Sequence, residues 1–410
     1  MGRDRRLLGF GVLGAVNTLN AYRPIIRRGN LAALSFTAAW PTSEAPLLTV
    51  GAQAVGLAAL VRRGGPRSPA GKAGMVLTIG SWAGLVGLAR AAGRSPAVLD
   101  DALRAALGAG YRRELAEDAD PPLTWAQRVL PAVGEHRYRV ATDVSYGPFR
   151  RNRLDIWRDP KLPGDARAPV LVHVHGGGWV IGDKTIQGEL LLSEMARRGW
   201  VGVSMTYRLS PKATWPDHIV DVKRGLAWVR QHIAEQGGDP GFIAITGGSA
   251  GGHLVALAAL TSNDPALQPG FESADTSVDA AVPFYGVYDV GDLAGSGRRE
   301  ILRVWERFVM KARVGDNRQA WESASPVARV CADAPPMFVL HGDNDSLVPV
   351  EQARRFVATL RQTSTSPVAY AELPGAQHAF EVFRSVRGTH AIRAVARFLE
   401  VVYRRRAAER

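Results

Sequence analysis

The sequence predicts an α/β protein: a mostly parallel, eight-stranded sheet with helices on both faces, preceded by an apolar helical segment. Three observations lead there. From about residue 136 to the end, short β-branched runs alternate with longer amphipathic ones. Several of the short runs, such as residues 170–174 and 337–340, are apolar at almost every position, which suits strands buried on both faces. The first 120 residues lack this alternation and carry three apolar stretches separated by basic or Pro/Gly-rich links.

In chain order the expected strands are residues 137–147, 153–159, 169–176, 200–209, 242–249, 280–286, 336–342 and 368–375. Amphipathic segments at 188–198, 218–236, 251–260, 350–361 and 385–405 are the expected helices between and after them. DADPPL at 118–123 reads as a linker, so residues 1–120 form one apolar helical segment and 121–410 one α/β domain. An insertion near 285–328, between the sixth and seventh strands, carries Trp305, Phe308, Val309 and Met310 at near-helical spacing. With the N-terminal segment it is expected either to cap the site and shape an acyl pocket, or simply to pack on the core.

Composition narrows the classes. With 46% hydrophobic and 22% charged residues the chain can bury a large core. The net charge of +13 comes almost wholly from arginine, the lysines being Lys72, Lys161, Lys184, Lys212, Lys223 and Lys311. No basic run interleaved with aromatics occurs beyond the short tail Arg404, Arg405 and Arg406, so nucleic acid is not an expected partner. The single cysteine, Cys331, excludes an internal disulfide and a multi-cysteine metal site, and is expected to be a buried core thiol.

The apolar stretches at 7–16, 47–61 and 73–89 are each shorter than the roughly 20 residues of a perpendicular membrane span. Arg62, Arg63, Arg67 and Lys72 lie in the link between the second and third, as in a cytoplasmic loop. The reading that follows is membrane or cell-envelope association with the α/β domain outside. The alternative is a cytoplasmic protein whose N-terminal helices cap the domain. Arg3, Arg5 and Arg6 precede an apolar run, but no small-x-small site follows, so a cleaved signal peptide is not expected.

Residues 242–254, FIAITGGSAGGHL, carry the chemistry. A strand runs through Gly247, Gly248, Ser249, Ala250 and Gly251 into a small-residue helix, which is G-x-S-x-G in its strand-turn-helix setting. The turn strains the serine backbone and leaves no room for side chains two residues to either side. At a helix N-terminus Ser249 meets free N–H groups that favour developing negative charge. A dinucleotide loop is excluded, because GGSAGG lacks the G-x-G-x-x-G spacing.

Directly after the third strand stand His175, Gly176, Gly177, Gly178 and Trp179. Consecutive glycines let main-chain donors approach a carbonyl that is turning tetrahedral, so the expected oxyanion donors are Gly177, Gly178 and Ala250. His175 is expected to fix this loop by a hydrogen bond. The remaining partners should follow in the order acid, then histidine, each just past a late strand. After the seventh strand two acids are available, Asp343 and Asp345; after the eighth comes His378, whereas His390 falls inside the final helix. Trp179 and Phe380 adjoin these loops and are the expected walls of the substrate pocket.

Around these motifs the chain resembles the hormone-sensitive-lipase-like family of α/β-hydrolase esterases, over roughly residues 140–398. The likeness rests on HGGGW at 175–179, YRLSP at 207–211, Asp221, GGDP at 237–240 and GGSAGG at 247–252. HGxxDxxVP resembles the loop that supplies the acid in many α/β-hydrolases, which implies Asp345 as the acid and Asp343 as a turn former. An apolar N-terminal portion ahead of an Arg-rich HGGGW hydrolase is similar to the actinobacterial Lip carboxylesterases, some of them envelope-associated. The resemblance implies a serine carboxylic ester hydrolase with a Ser249, His378 and Asp345 triad, needing neither cofactor nor metal. Its expected substrates are short- to medium-chain acyl esters or lipids. Two departures blur the substrate: Gly248 stands where the family usually has an acidic residue, and HGGGWxxGDK is also similar to feruloyl-esterase and arylformamidase relatives. Amide or formamide hydrolysis is therefore the nearest rival. An inactive hydrolase fold serving as a binding module would need a missing triad member, and none is missing.

Overall fold

A single eight-stranded sheet runs in the order β1-β2-β4-β3-β5-β6-β7-β8. Its strands are β1 Arg139–Ser145, β2 Arg153–Trp157, β3 Ala168–Val174, β4 Val201–Met205, β5 Gly238–Gly248, β6 Ala280–Phe284, β7 Met337–Gly342 and β8 Val368–Leu373. β1 pairs antiparallel with β2 and β2 with β4, while every pair from β4 to β8 is parallel. The computed structural model describes residues 2–26, 32–62, 64–115, 120–129, 136–293, 295 and 299–409. Arg63 of the basic link, and Asp118 and Ala119 of the linker stretch, lie outside the described residues.

Helices cover both faces. They are α1 Gly2–Tyr22, α2 Ala32–Glu44, α3 Pro46–Val61, α4 Pro69–Ala92, α5 Ser95–Leu107, α6 Trp125–Val129, α7 Glu189–Arg197, α8 Asp217–His232, α9 Ala250–Leu260, α10 Arg299–Val304, α11 Arg318–Ser323, α12 Val350–Thr363 and α13 Val386–Ala408. The period-two side-chain alternation of a strand decides which core each residue joins. Val170, Val172 and Val174 of β3 and Ile243 and Ile245 of β5 pack with Leu226, Leu254 and Phe356 from α8, α9 and α12. Leu171, Phe242 and Ala244 point the other way, toward Leu191, Leu103 and Leu399 from α7, α5 and α13.

Two helices and one residue differ from the sequence reading. Helix α2 contains Pro41 and the polar run Thr42, Ser43 and Glu44, which hides its helical period. Helix α5 was covered by no apolar stretch, yet it buries Leu99, Leu103 and Leu107. Cys331 is exposed rather than buried. It sits in the irregular stretch between the Pro326–Arg329 turn and β7, outside either core.

The insertion after β6 packs inward. Trp305, Val309 and Trp321 are fully buried, and Phe308 and Met310 are half-buried. The N-terminal helices pack on each other and on the α/β domain. Helix α1 meets α4 backbone to backbone: a Cβ on Gly11 would lie 2.1 Å from the carbonyl oxygen of Gly74. Thr18 and Ser81 bond across the same seam at 2.7 Å. Toward the domain, Asn344 donates to the carbonyl of Ala21 at 2.7 Å, and Trp40 Nε1–H donates to that of Ala379 at 3.0 Å. Glu44 accepts from Ser385 at 2.7 Å and forms an ion pair with Arg387 with both side chains fully buried.

That ion pair predicts a measurable coupling. Arg387→Met leaves Glu44 buried and unpaired, and should lower the unfolding free energy in urea by about 3–5 kcal/mol. Adding Glu44→Gln should restore most of the loss. A single-variant loss below about 1 kcal/mol would show that the helical segment is not held to the domain by this pair.

Candidate active site

The turn that carries Ser249 is built at the sheet centre, where β5 meets α9. Ser249 has φ 58° and ψ −120°, a conformation that L-residues rarely adopt and that surrounding structure must enforce. Its N–H donates to the carbonyl of Phe284 at 3.0 Å, tying the turn to β6. Two residues further on, a Cβ at Gly251 would lie 2.1 Å from the carbonyl oxygen of Val174, so only glycine lets α9 start so close to β3. The serine hydroxyl therefore stands at the N-terminus of a buried helix.

On one side lies the glycine loop after β3. Gly177 and Gly178 have φ of 114° and 59°, and Trp179 continues at 63°. Gly176 N–H is already engaged by Gln187 Oε1 at 2.8 Å. Among the described residues the N–H groups of Gly177 and Gly178 make no hydrogen bond, and Ala250 opens α9 without an intrahelical partner. A Cβ on Gly176 would lie 3.3 Å from Ser249 Cβ, which sets the loop directly against that serine. His175 holds the loop as expected: Nδ1 pairs with the carbonyl of Gly176 at 2.6 Å, and the ring stacks on Tyr207 at 4.4 Å. Burial pushes its pKa down to about 4, so it stays neutral.

On the other side are the loops after β7 and β8. His378 Nδ1 lies 2.6 Å from Asp345 Oδ2. Asp345 Oδ1 accepts from the N–H groups of Leu347 and Val348, both at 2.8 Å, and His341 Nε2 stands 3.3 Å from Oδ2. Burial works against ionisation of this carboxyl, but the attraction of His378 and the bonds from His341 and His378 outweigh it and hold it well below the usual carboxylate range. Asp343 serves a different purpose, accepting from Gly375 N–H at 2.6 Å and closing the turn after β8.

Several groups around this pair carry no sequence signal. Tyr285, at the end of β6 with φ 35°, has its ring 4.4 Å from that of His378. Its hydroxyl donates to Glu381, three residues beyond the histidine. Burial raises the Glu381 carboxyl to about 7 despite that bond. The hydroxyl of Tyr285 fills the space a side chain at 248 would need, since a Cβ there would lie 2.5 Å from it. This accounts for the glycine at position 248. Phe36 of α2 lies edge-on to His378, with ring centroids 6.2 Å apart. Only long-range packing could reveal it, because 342 residues separate the two.

Trp179 and Phe380, the expected pocket walls, are both buried. Trp179 donates from Nε1 to His253 Nδ1 at 3.2 Å and meets Trp305 edge-on at 4.8 Å, so the insertion packs on the glycine loop through it. Phe380 is enclosed by Phe284 and Tyr285, at 6.1 and 5.5 Å. A cavity of about 60 Å³ beside the site is lined instead by His173, Gln187, Phe284, Glu381 and Ile392, among others.

A hydroxyl on a strained turn, main-chain donors to one side and an acid-tethered imidazole to the other have one chemistry that uses all three: acyl transfer through a serine, on an α/β-hydrolase fold. The comparisons agree. The family model described as BD-FAE matches residues 154–360. The chain is 47% identical to the probable carboxylic ester hydrolase LipM of Mycobacterium tuberculosis, over 97% of its own length and 94% of that protein's. It is 45% identical to esterase LipQ of the same organism, over 94% and 89%. Esterase 2 of Thermogutta terrifontis superposes with a TM-score of 0.52 at 26% identity, covering 59% of this chain and 87% of that one. The chain belongs to the α/β-hydrolase-fold esterase family of the Lip-type carboxylesterases and BD-FAE-like esterases, and is a serine-type carboxylic ester hydrolase.

The tight fit at Gly248 yields a prediction. Gly248→Ala pushes Tyr285 against His378, and a displacement on the order of 1 Å at the histidine should lower kcat about a hundredfold in a steady-state esterase assay. A kcat within about twofold of wild type would mean that Tyr285 does not set the histidine position.

Proposed function

We propose that the enzyme hydrolyses small carboxylic esters of short- to medium-chain acids, with Ser249 as nucleophile, His378 as general base and Asp345 as the residue that orients it. The observation that carries this reading is the 2.6 Å bond from His378 Nδ1 to an Asp345 carboxylate kept ionised by its surroundings. With Nδ1 so engaged, Nε2 is the free basic nitrogen. It removes the Ser249 proton as the hydroxyl attacks the ester carbonyl, and the N–H groups of Gly177, Gly178 and Ala250 receive the oxyanion. His378 then returns the proton to the departing alcohol. Water repeats the sequence and releases the acid. The YRLSP stretch at 207–211 supports placing the chain with the hormone-sensitive-lipase-like esterases within this fold.

We also propose that residues 1–120 act both as a cap and as a membrane-associating segment, with the hydrolase domain on the outer face. Supporting this, helix Pro69–Leu107 is long and apolar enough to cross a membrane, as is the bent pair Leu34–Glu44 and Pro46–Val61 taken together, with a 98° bend. Leu13, Leu19, Val55, Val76 and Ile79 are exposed on α1, α3 and α4. Arg62 and Arg67 stay in the link between α3 and α4 and Lys72 lies in the first turn of α4, all on the cytoplasmic side of such an arrangement.

Ser249→Ala should keep the fold and lose p-nitrophenyl ester hydrolysis to a small residual, and Asp345→Asn should lower kcat far more than Asp343→Asn. Retained activity in Ser249→Ala would remove the nucleophile assignment, and the reverse ranking of the two acids would transfer the orienting role to Asp343. N-formylkynurenine hydrolysed faster than the esters would make the enzyme a formamidase. As to location, the full chain should sediment with membranes in high salt and be released by detergent. Recovery in the soluble fraction of a low-salt lysate would leave the helices as a cap alone.

A further inference from the structure

We propose that Phe36 and Trp40, both on the N-terminal helix α2, form the wall that recognises the alcohol portion of the ester, and that this portion is apolar and flat. The inference rests on the serine-hydrolase reading above and goes beyond it to the substrate. The two rings stack at 5.4 Å with planes 18° apart, and both stay half-exposed. Phe36 touches the catalytic imidazole edge-on. Among the described residues the other aromatic against that imidazole, Tyr285, is fully buried. Phe36 is therefore the aromatic neighbour of His378 that still has a face to offer.

Reaction geometry says what it faces. The protonated imidazole must lie within hydrogen-bond reach of the departing alkoxide oxygen, whereas the carbonyl oxygen turns away toward Gly177, Gly178 and Ala250. Atoms bonded to the alkoxide oxygen thus extend on the histidine side, where Phe36 stands. An aromatic pair with an open face is best matched by a flat apolar group, through stacking or edge contacts.

The wall is also rigid. Trp40 Nε1–H donates to the carbonyl of Ala379, the residue after the catalytic histidine, and its ring lies 4.6 Å from Phe383. The end of the same helix is pinned by Glu44 to Ser385 and Arg387. Helix α2 is thereby fastened to the segment that follows the histidine at Ala379 and again at Ser385 and Arg387, so the wall and the base move together. The N-terminal segment supplies the alcohol side of the site rather than the acyl pocket that its apolar composition suggests.

The test compares esters that share an acyl group and differ in alcohol. Using the full chain, kcat/KM is measured for phenyl acetate, ethyl acetate and phenyl butyrate with wild type, Phe36→Ala and the milder Phe36→Leu. The expected result is a loss in Phe36→Ala about tenfold larger for phenyl acetate than for ethyl acetate, equal for phenyl acetate and phenyl butyrate, and intermediate in Phe36→Leu. Equal losses on phenyl and ethyl acetate, or a loss that follows acyl length instead, would overturn the proposal. Wild-type hydrolysis of these esters upholds the esterase reading whatever Phe36→Ala does, so the two ideas fail separately.

Discussion

The active site depends on two stretches of main chain touching with no side chain between them. Val174 at the end of β3 presents its carbonyl oxygen where Cβ atoms on Gly247 and Gly251 would come within 2.4 and 2.1 Å. Gly176 reaches the carbonyl of Gly248 in the same way, at 2.7 Å from where its Cβ would be. Two of the proposed oxyanion donors, Gly177 and Gly178, come from a segment about seventy residues before Ser249 in sequence. Only this bare backbone contact brings them to one point, and the strained φ of Ser249 is the local cost of it. The parallel pairing of β3 with β5, in register from Val170 opposite Ile243 to Val174 opposite Gly247, is what enforces the approach.

The opposite side of the site is organised by electrostatics. Asp345 is buried, yet its position among two main-chain N–H groups and two imidazoles keeps it charged. A buried carboxylate without those partners would protonate and could no longer stabilise an imidazolium. Tyr285 and Glu381 then brace the histidine from behind, and helix α2 braces its loop from the outside. The N-terminal helices, which look in sequence like an appendage, are thus continuous with the catalytic loops.

Much of this was legible in the residues, and the reasons are physical. The buried strands show because a sheet covered on both faces demands nearly continuous apolar runs such as residues 170–174. Ser249 and the glycine loop stand out because each closes a strand in a turn whose residues are tightly restricted, whereas the choice of Asp345 over Asp343 rests on the likeness of HGxxDxxVP to the acid loop of other α/β-hydrolases. Helix α2 stayed hidden because Pro41 and its polar neighbours interrupt the apolar period, although tertiary packing holds it helical. Phe36, Tyr285 and Glu381 have no local signature, since their roles arise from contacts made by distant segments. Trp179 and Phe380 adjoin the right loops, but their side chains turn into the core, a direction that sequence proximity does not give.

The central claim is that Ser249 forms the covalent intermediate. It is tested most directly by treating the intact enzyme with a fluorophosphonate probe, which phosphonylates activated serines, and mapping the adduct by peptide mass spectrometry. The account predicts one stoichiometric adduct on Ser249, formed at a rate that falls when Asp345 is replaced by Asn. An adduct confined to another serine, or complete inhibition with no covalent label, would contradict it.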